Sequence, residues 1–341
     1  MSRLSLASRL GLLLLLITAF VVVAGSNALA QYTISTLVTT TQDPNLKNPW
    51  GISFTPSSPF WVANEGTGTS TLYNAAGNVI PAVFTVPSAT TGGVGTPTGT
   101  VANTTTGFVV TQNNVSGASV FIFCTLDGTI SGWSPTVNST TSVIAVNNKG
   151  KAQYTGLAIA TVGTKTFLYA ANALKNQVEI YDSNFHLTKT FTDATLTGMK
   201  AYNVQALKGK IYVTFEGTTG GGAVDVFGTA GKLLQQVSMN GATGPLQAPW
   251  GVALAPANFG KLSNLLLVGN VSNGRINAFN LTTGKFVAAL KDTTNKIFAV
   301  PGLWAITFGG GNAANNGNTN QLFYVAGTDG YATGVMGVIN P

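Results

Sequence analysis

A repeated pair of short apolar segments constrains this chain more than any other feature. The first copy is Pro49–Asn64, with the sequence PWGISFTPSSPFWVAN, and Pro249–Asn270 repeats it, opening with PWGVALAP and running through LLLVGN. Weaker copies begin at Pro97, Tyr154, Tyr202 and Gly302. Successive copies lie about 47 to 57 residues apart. Repeats of this period, each divided into short strands, are typical of the blades of a β-propeller.

Composition favours strands and turns over helices. Charged residues make up only 8% of the chain, whereas it contains 41 glycines. Thr, Asn and Ser fill most other polar positions, and Val, Ile, Phe and Leu occur in short runs. We therefore predict an all-β fold, namely a six-bladed β-propeller of four-stranded antiparallel blades.

Turn residues divide each copy into strands. Blade one is predicted at Gly51–Phe54, Pro59–Ala63, Ser70–Tyr73 and Val79–Thr85. Blade two is predicted at Gly99–Ala102, Phe108–Thr111, Ser119–Thr125 and Thr129–Ser134, followed by an extra segment at Pro135–Val146. Blades three to five also have four predicted strands, whereas the sixth has three.

The missing strand of blade six is predicted to come from the other end of the chain. The segment Tyr32–Val38 reads as a lone strand before the first repeat. An open ring would leave unpaired strand edges, which favour aggregation. We therefore expect Tyr32–Val38 to complete blade six and close the ring. A seven-bladed ring, with Pro135–Val146 in another blade, is the alternative.

The N-terminus has the pattern of an export signal. Arg3 and Arg9 precede the apolar run Leu10–Val23, and Ala28-Leu29-Ala30 matches a small-residue cleavage site. The run is shorter than the roughly 20 residues that a spanning helix needs. We predict a signal peptide at residues 1–30, one propeller domain at residues 31–341, no membrane insertion after cleavage, and a secreted or periplasmic monomer.

Few residues carry reactive or strongly charged groups. The formal net charge is +7, but the basic residues are scattered and form no patch for nucleic acid. Cys124 is the sole cysteine and lies in the apolar strand pattern VFIFC, so we expect a buried structural thiol. His186 is the sole histidine and lies in a predicted outer turn. The sequence therefore gives no support to a Ser-His-Asp or Cys-His catalytic arrangement.

A candidate binding site follows from propeller geometry. The start of strand one and the end of strand two meet on one face of every blade, around the mouth of the central channel. Residues at these positions with side chains suited to binding are Trp50, Asn64, Glu65, Asn113, Asn172, Asn203, Glu216, Trp250, Asn270 and Trp304. A ring of amides with two carboxylates is able to hold a polar ligand or a hard cation. The competing interpretation is structural, because Asn commonly ends strands and Trp wedges between blades.

Three segments carry a family resemblance: Asp43–Asn74, Phe121–Pro135 and Ala248–Gly260. Together they resemble a family of exported, uncharacterised bacterial propeller proteins, some of which carry a C-terminal PEP-CTERM sorting tail. Leu267–Asn280 (LVGNVSNGRINAFN) is distantly similar to the NHL repeat. The resemblance implies a propeller and no named activity. Because this chain ends at Pro341 without such a tail, we expect secretion or periplasmic residence rather than surface attachment.

These observations leave several functions open, with no catalytic residue assigned and no cofactor predicted. The favoured hypothesis is a non-catalytic module that binds a protein or polysaccharide at the channel mouth. The alternative is a metal-assisted hydrolase or lactonase, for which Glu65 and Glu216 would contribute ligands to an undetermined metal, with Ca²⁺ a fitting ion. A rigid structural component of the cell envelope is the third hypothesis. Fold alone does not decide between them.

Overall fold

The computed structural model describes residues 32–341, which form six four-stranded antiparallel sheets and one separate hairpin. The predicted signal peptide lies outside the described residues. Strand β1 (Thr33–Thr39) precedes the blades. Blade one contains β2 (Pro49–Ser53), β3 (Phe60–Asn64), β4 (Thr69–Tyr73) and β5 (Val79–Thr85). Blade two contains β6 (Pro97–Ala102), β9 (Phe121–Thr125), β10 (Thr129–Trp133) and β11 (Val143–Asn147). The separate hairpin, β7 (Val109–Gln112) and β8 (Val115–Ala118), is inserted between β6 and β9.

The remaining blades follow the chain in the same order. Blade three contains β12 (Tyr154–Val162), β13 (Lys165–Asn172), β14 (Gln177–Tyr181) and β15 (Leu187–Phe191). Blade four contains β16 (Met199–Leu207), β17 (Lys210–Gly217), β18 (Gly222–Phe227) and β19 (Leu233–Asn240). Blade five contains β20 (Pro249–Leu254), β21 (Leu266–Asn270), β22 (Ile276–Phe279) and β23 (Phe286–Ala289). Blade six contains β24 (Leu303–Phe308), β25 (Leu322–Thr328) and β26 (Thr333–Asn340). The helical content of the described chain is two short 3₁₀ turns, Glu65–Thr67 and Gly260–Leu262.

The N-terminal strand closes the ring, as predicted. Strand β1 pairs antiparallel with β26, from Thr33 opposite Asn340 to Thr39 opposite Val335, and is the fourth strand of blade six. Tyr32 anchors its start, because the Tyr32 hydroxyl donates to the Phe259 carbonyl at 2.8 Å and the two rings lie 4.7 Å apart. The two ends of the described chain are therefore joined in one sheet, and the six-bladed fold is confirmed.

The core consists of six apolar clusters, and each cluster fills the space between two neighbouring blades. Strand β3 shows how one strand serves two clusters. Phe60 and Val62 pack towards blade six, whereas Trp61 and Ala63 pack towards blade two. Because both faces of such strands are buried, they read as continuous apolar runs rather than as an alternating pattern.

The strand assignment for blade two was wrong in one respect. The predicted second strand, Phe108–Thr111, largely overlaps β7 of the separate hairpin, and the predicted extra segment overlaps the outer strand β11. The reason is burial: β9 is buried at all five positions, as an inner strand must be, whereas β7 has exposed positions. Phe108 instead packs against Phe185 of blade three at a ring distance of 5.2 Å. The insertion therefore lengthens the repeat without adding a blade.

Glycine recurs at the start of strand one because neighbouring blades approach closely there. A Cβ atom on Gly51 would lie 2.5 Å from the Thr98 carbonyl oxygen in blade two. A Cβ atom on Gly251 would lie 2.6 Å from the Trp304 carbonyl oxygen in blade six. The repeated glycine that marks the sequence copies thus permits backbone-to-backbone contact around the channel.

Candidate functional site

One face of the ring brings together the two sets of positions on which the predicted site is based. In every blade, a backbone N–H at or just after the end of strand two donates to the carbonyl of the residue immediately before strand one. The six donor–acceptor pairs are Glu65–Asn48, Leu126–Thr96, Ala173–Gln153, Thr218–Gly198, Val271–Ala248 and Gly327–Gly302. We call the area that these segments surround the channel mouth.

Aromatic rings fill the channel mouth. Trp50 and Trp304 stack at a ring distance of 3.5 Å, and Trp250 contacts both of them edge-on at 6.3 and 6.2 Å. Tyr202 lies 6.5 Å from Trp50, and Tyr331 lies 5.9 Å from Trp304. We call these five residues the aromatic plug. Its three indoles are buried, whereas Tyr202 is half-buried and Tyr331 is exposed.

Hydrogen bonds fix two of the three indoles across the ring. Trp250 Nε1 donates to the Thr155 carbonyl at 2.9 Å, and Trp304 Nε1 donates to Asn48 Oδ1 at 2.9 Å. Asn48 Nδ2 in turn donates to Glu65 Oε2 at 2.8 Å, so the predicted site residues Trp304 and Glu65 belong to one chain of hydrogen bonds. The buried Trp50 Nε1 has no hydrogen-bond partner among residues 32–341.

Glu216 and two phenols form the polar part of the channel mouth. Burial raises the pKa of Glu216, and Lys200, which lies opposite it across the β16–β17 ladder, partly offsets that rise. Burial is also the main cause of the raised pKa values of Tyr202 and Tyr331, and the nearby Glu216 charge raises both further. The mutual electrostatic effect indicates that these three groups converge. Tyr202 and Tyr331 were missed as site residues in the sequence, although Tyr202 is adjacent to the predicted Asn203.

Most of the predicted amides are used inside the protein rather than presented to solvent. Asn64 Nδ2 donates to Thr71 Oγ1 at 2.9 Å, and Asn172 Nδ2 donates to Glu179 Oε1 at 2.8 Å. Asn203 Nδ2 donates to the Trp250 carbonyl at 2.8 Å, and Asn270 Nδ2 donates to the Pro245 carbonyl at 2.8 Å. All four side chains are buried. Their geometry supports the structural interpretation of these residues, namely that the amides tie strand ends to neighbouring segments.

Asn113 lies away from the channel mouth. It is exposed at the turn of the β7–β8 hairpin, between Gln112 and Val115, and has a φ of 52°. Its predicted position depended on assigning Phe108–Thr111 as the second strand of blade two. Because β9 is that strand, the equivalent position is Thr125, whose hydroxyl bonds to Thr129 and Asp127.

A cavity of about 220 Å³ occupies the central channel on the other side of the plug. The inner strands of all six blades line it, and Trp250 and Asn203 lie at the end next to the plug. Ser53, Gln205 and Thr307 lie further along the inner strands. No lining residue is charged, so the cavity suits a small neutral molecule or water.

The two residues with the greatest intrinsic reactivity lie away from the channel mouth. Cys124 is fully buried between blades two and three, and burial raises its pKa to about 11, so the thiol remains protonated near neutral pH. His186 is on the outside of blade three, 3.6 Å from the Asp182 carboxylate with which it shares a turn. Both placements agree with the interpretation made from the sequence.

Two further properties of the described chain bear on the site. Residues 32–341 contain no group of three or more His, Cys, Asp or Glu side chains arranged to hold a metal ion. Within the same residues, no helix has the length and apolar character to cross a bilayer.

Fold and site together define a six-bladed β-propeller with an aromatic-filled channel mouth. No family model matches the chain. A similar curated protein is the uncharacterized protein R648 of Acanthamoeba polyphaga mimivirus, which is 27% identical over 319 residues covering 87% of this chain and 76% of its own. This relative is viral, whereas the sequence resemblance pointed to bacteria, so the bacterial family remains a prediction.

Solved structures share the architecture at low identity. A glucose dehydrogenase matches with a TM-score of 0.56 and 13% identity, over 91% of this chain and 99% of its own. Virginiamycin B lyase from Staphylococcus aureus matches with a TM-score of 0.54 and 8% identity, over 91% of this chain and 100% of its own. At such identities the likeness shows the fold alone.

Proposed function

We propose that this protein is an exported, non-catalytic binding module whose ligand contacts the channel mouth. The observation that carries the proposal is the convergence of Glu216, Tyr202 and Tyr331 on the aromatic plug. The pKa of Glu216 is set by burial and by Lys200, without a contribution from a hydrogen bond. Its carboxylate therefore has acceptor capacity for a ligand.

The chemistry of the channel mouth favours a polysaccharide over a protein partner. The exposed ring of Tyr331 offers a flat apolar surface for the C–H face of a sugar, and Glu216 accepts hydrogen bonds from hydroxyl groups. Backbone strain supports a positioning role, because Tyr331 has a φ of 74°, which is unusual for a bulky residue. The plug provides a rigid floor for such a ligand.

Replacing Tyr331 by alanine is expected to weaken glycan binding at least tenfold, because it removes the one exposed ring of the plug. Glu216→Gln is expected to weaken it similarly by removing the charge-assisted hydrogen bonds. The measurement is the affinity of the purified protein for a panel of immobilised bacterial envelope glycans. The matched control is Phe286→Ala on the outer strand β23, since Phe286 is 48% exposed and Tyr331 is 45% exposed.

Two outcomes would count against this function. The channel mouth would not be the binding surface if Tyr331→Ala bound the glycan as the unaltered protein does, or if Phe286→Ala lost as much affinity. A stoichiometric metal in the purified protein, whose loss abolished hydrolysis of a lactone or ester, would favour the hydrolase alternative instead. The two metal ligands named for that alternative, Glu65 and Glu216, lie in different blades, one and four, and Glu65 already accepts a hydrogen bond from Asn48.

A further inference from the structure

A buried polar residue recurs in the third strand of the blades, facing an apolar residue of the second strand. It is Thr71, Ser131, Glu179, Asp225 and Asn277 in blades one to five. All five side chains are buried. Because an unpaired polar group in a blade interface is costly, each requires a hydrogen-bond partner.

Blade three shows how a carboxylate is accommodated at this position. Glu179 accepts hydrogen bonds from Tyr154, Tyr181, Asn172 and Gln177 at 2.7 to 3.0 Å. Burial alone would raise the pKa of Glu179, but these donors outweigh it and hold the pKa below its usual value. Glu179 is therefore an ionised residue whose charge the fold stabilises.

Blade four lacks both of the corresponding strand donors. The residue equivalent to Asn172, two positions beyond the ladder partner on strand two, is Phe215. The residue equivalent to Tyr181, two positions along strand three, is Phe227. Neither oxygen of the fully buried Asp225 meets a donor at good hydrogen-bond geometry among residues 32–341, and the Gln236 amide of β19 is the single side chain that lowers its pKa. Asp225 thus lies in the apolar interface of blades three and four without the support that Glu179 receives.

A second carboxyl group faces Asp225 from the segment that connects blades three and four. The Asp193 and Asp225 side chains are within hydrogen-bond reach of each other, and Asp193 is also buried. Asp193 Oδ1 accepts hydrogen bonds from the Thr195 N–H and hydroxyl at 2.8 and 2.7 Å. Two carboxyl groups can hydrogen-bond only when one of them is protonated.

We propose that Asp193 and Asp225 share one proton across the interface of blades three and four, and that this interface becomes less stable as the pH rises from acidic to neutral and the proton is lost. Asp225 carries the proton and donates it to the Asp193 carboxylate, which Thr195 keeps ionised. This inference is independent of the function proposed for the channel mouth.

The surroundings of the pair determine the direction of the pH effect. Burial, followed by the adjacent Asp193, raises the pKa of Asp225 to about 8, whereas the Thr195 hydrogen bonds lower that of Asp193 despite burial. The uncharged Gln236 amide from β19 partly offsets the rise in the pKa of Asp225 by hydrogen bonding. The hydroxyl of Tyr169, the other titratable side chain in this cluster, donates instead to the Thr229 carbonyl. No Lys, Arg or His contributes to either shift.

The direction in which stability changes with pH follows from the number of protons bound by the folded and the unfolded protein. An unfolded Asp loses its proton near pH 4, whereas folded Asp225 keeps it up to about pH 8. The folded protein therefore binds one more proton between these values, and its stability falls as the pH rises through that window. For one proton, the unfolding equilibrium constant rises about tenfold per pH unit.

The test is denaturant unfolding of the full chain between about pH 5 and 7.5, where carboxyl groups with lowered pKa values have finished titrating. The unaltered protein should show at least the tenfold rise in the unfolding equilibrium constant per pH unit, because Glu216 adds to the effect of Asp225. Asp225→Asn should remove the Asp225 contribution to this pH dependence, because the amide donates to Asp193 without a titrating proton, and should leave only the contribution of Glu216, whose pKa burial also raises. Asp182→Asn, in an outer turn of blade three, is the control and should retain the full pH dependence.

Asp193→Asn provides a second variant should Asp225→Asn fail to fold; it should reduce the pH dependence without removing it, because burial still raises the pKa of Asp225 when the adjacent carboxylate is gone. An unchanged pH dependence in the folded variants would overturn the proposal. It would also be overturned if Ca²⁺ stabilised the unaltered protein and not Asp225→Asn, because the pair would then hold a cation in place of a proton.

Discussion

Replacing Gly251 by valine is expected to destabilise the protein by about 3 kcal/mol or more. The added Cβ would lie 2.6 Å from the Trp304 carbonyl oxygen and 2.9 Å from the Ile306 nitrogen. Both atoms are backbone atoms of the neighbouring inner strand β24, so neither can move aside without disturbing the ring. The free energy of unfolding from denaturant titration is the measurement.

The control for this prediction is the same substitution at Gly241, where a Cβ would meet nothing within 4 Å. Gly241→Val should change the free energy of unfolding by less than about 0.5 kcal/mol. Equal effects of the two substitutions would show that close approach of the inner strands is not what requires glycine at position 251.

Deleting residues 32–39 is expected to prevent formation of a stable, soluble ring. The deletion removes the buried side chains of Tyr32 and Val38 and exposes the whole edge of β26. A free edge of eight residues is a template for pairing with other chains. Gel filtration and thermal unfolding should show aggregation, or loss of a single cooperative transition.

Addition of a synthetic peptide of residues 32–40 provides the control, because it should restore a monomer in a saturable manner by supplying the missing strand. A truncated chain that stayed monomeric and melted at the temperature of the full chain would contradict the closure described above.

The repeat pattern predicted the fold well because each blade is encoded locally. Every blade has its own turn residues and short apolar runs. Because blade six had one predicted strand too few and one strand was left over at the N-terminus, the strand count indicated closure by β1. Blade two was assigned incorrectly because the β7–β8 hairpin also contains apolar residues. The hairpin is held against the next blade by packing of Phe108 on Phe185 and by the Phe108 N–H, which donates to the Ser183 carbonyl.

The site was harder to predict because it depends on contacts between distant repeats. Asn64 and Asn172 end their strands in the sequence as a ligand-binding ring would require, yet each bonds to a buried residue of the third strand. Tyr202 and Tyr331 meet near Glu216 from blades four and six. Their convergence results from ring closure, which no local pattern records.

Ring closure is therefore the central claim, and a disulfide between Thr33→Cys and Asn340→Cys tests it most directly. These residues are paired across β1 and β26, at a separation that suits a disulfide. The control pair is Thr33→Cys with Thr333→Cys, since Thr333 lies at the opposite end of β26, on the order of 20 Å away. Mild oxidation should cross-link the first pair fully and raise the melting temperature, while the control pair keeps free thiols. Free thiols in both pairs, or equal cross-linking of both, would contradict a ring closed by its first strand.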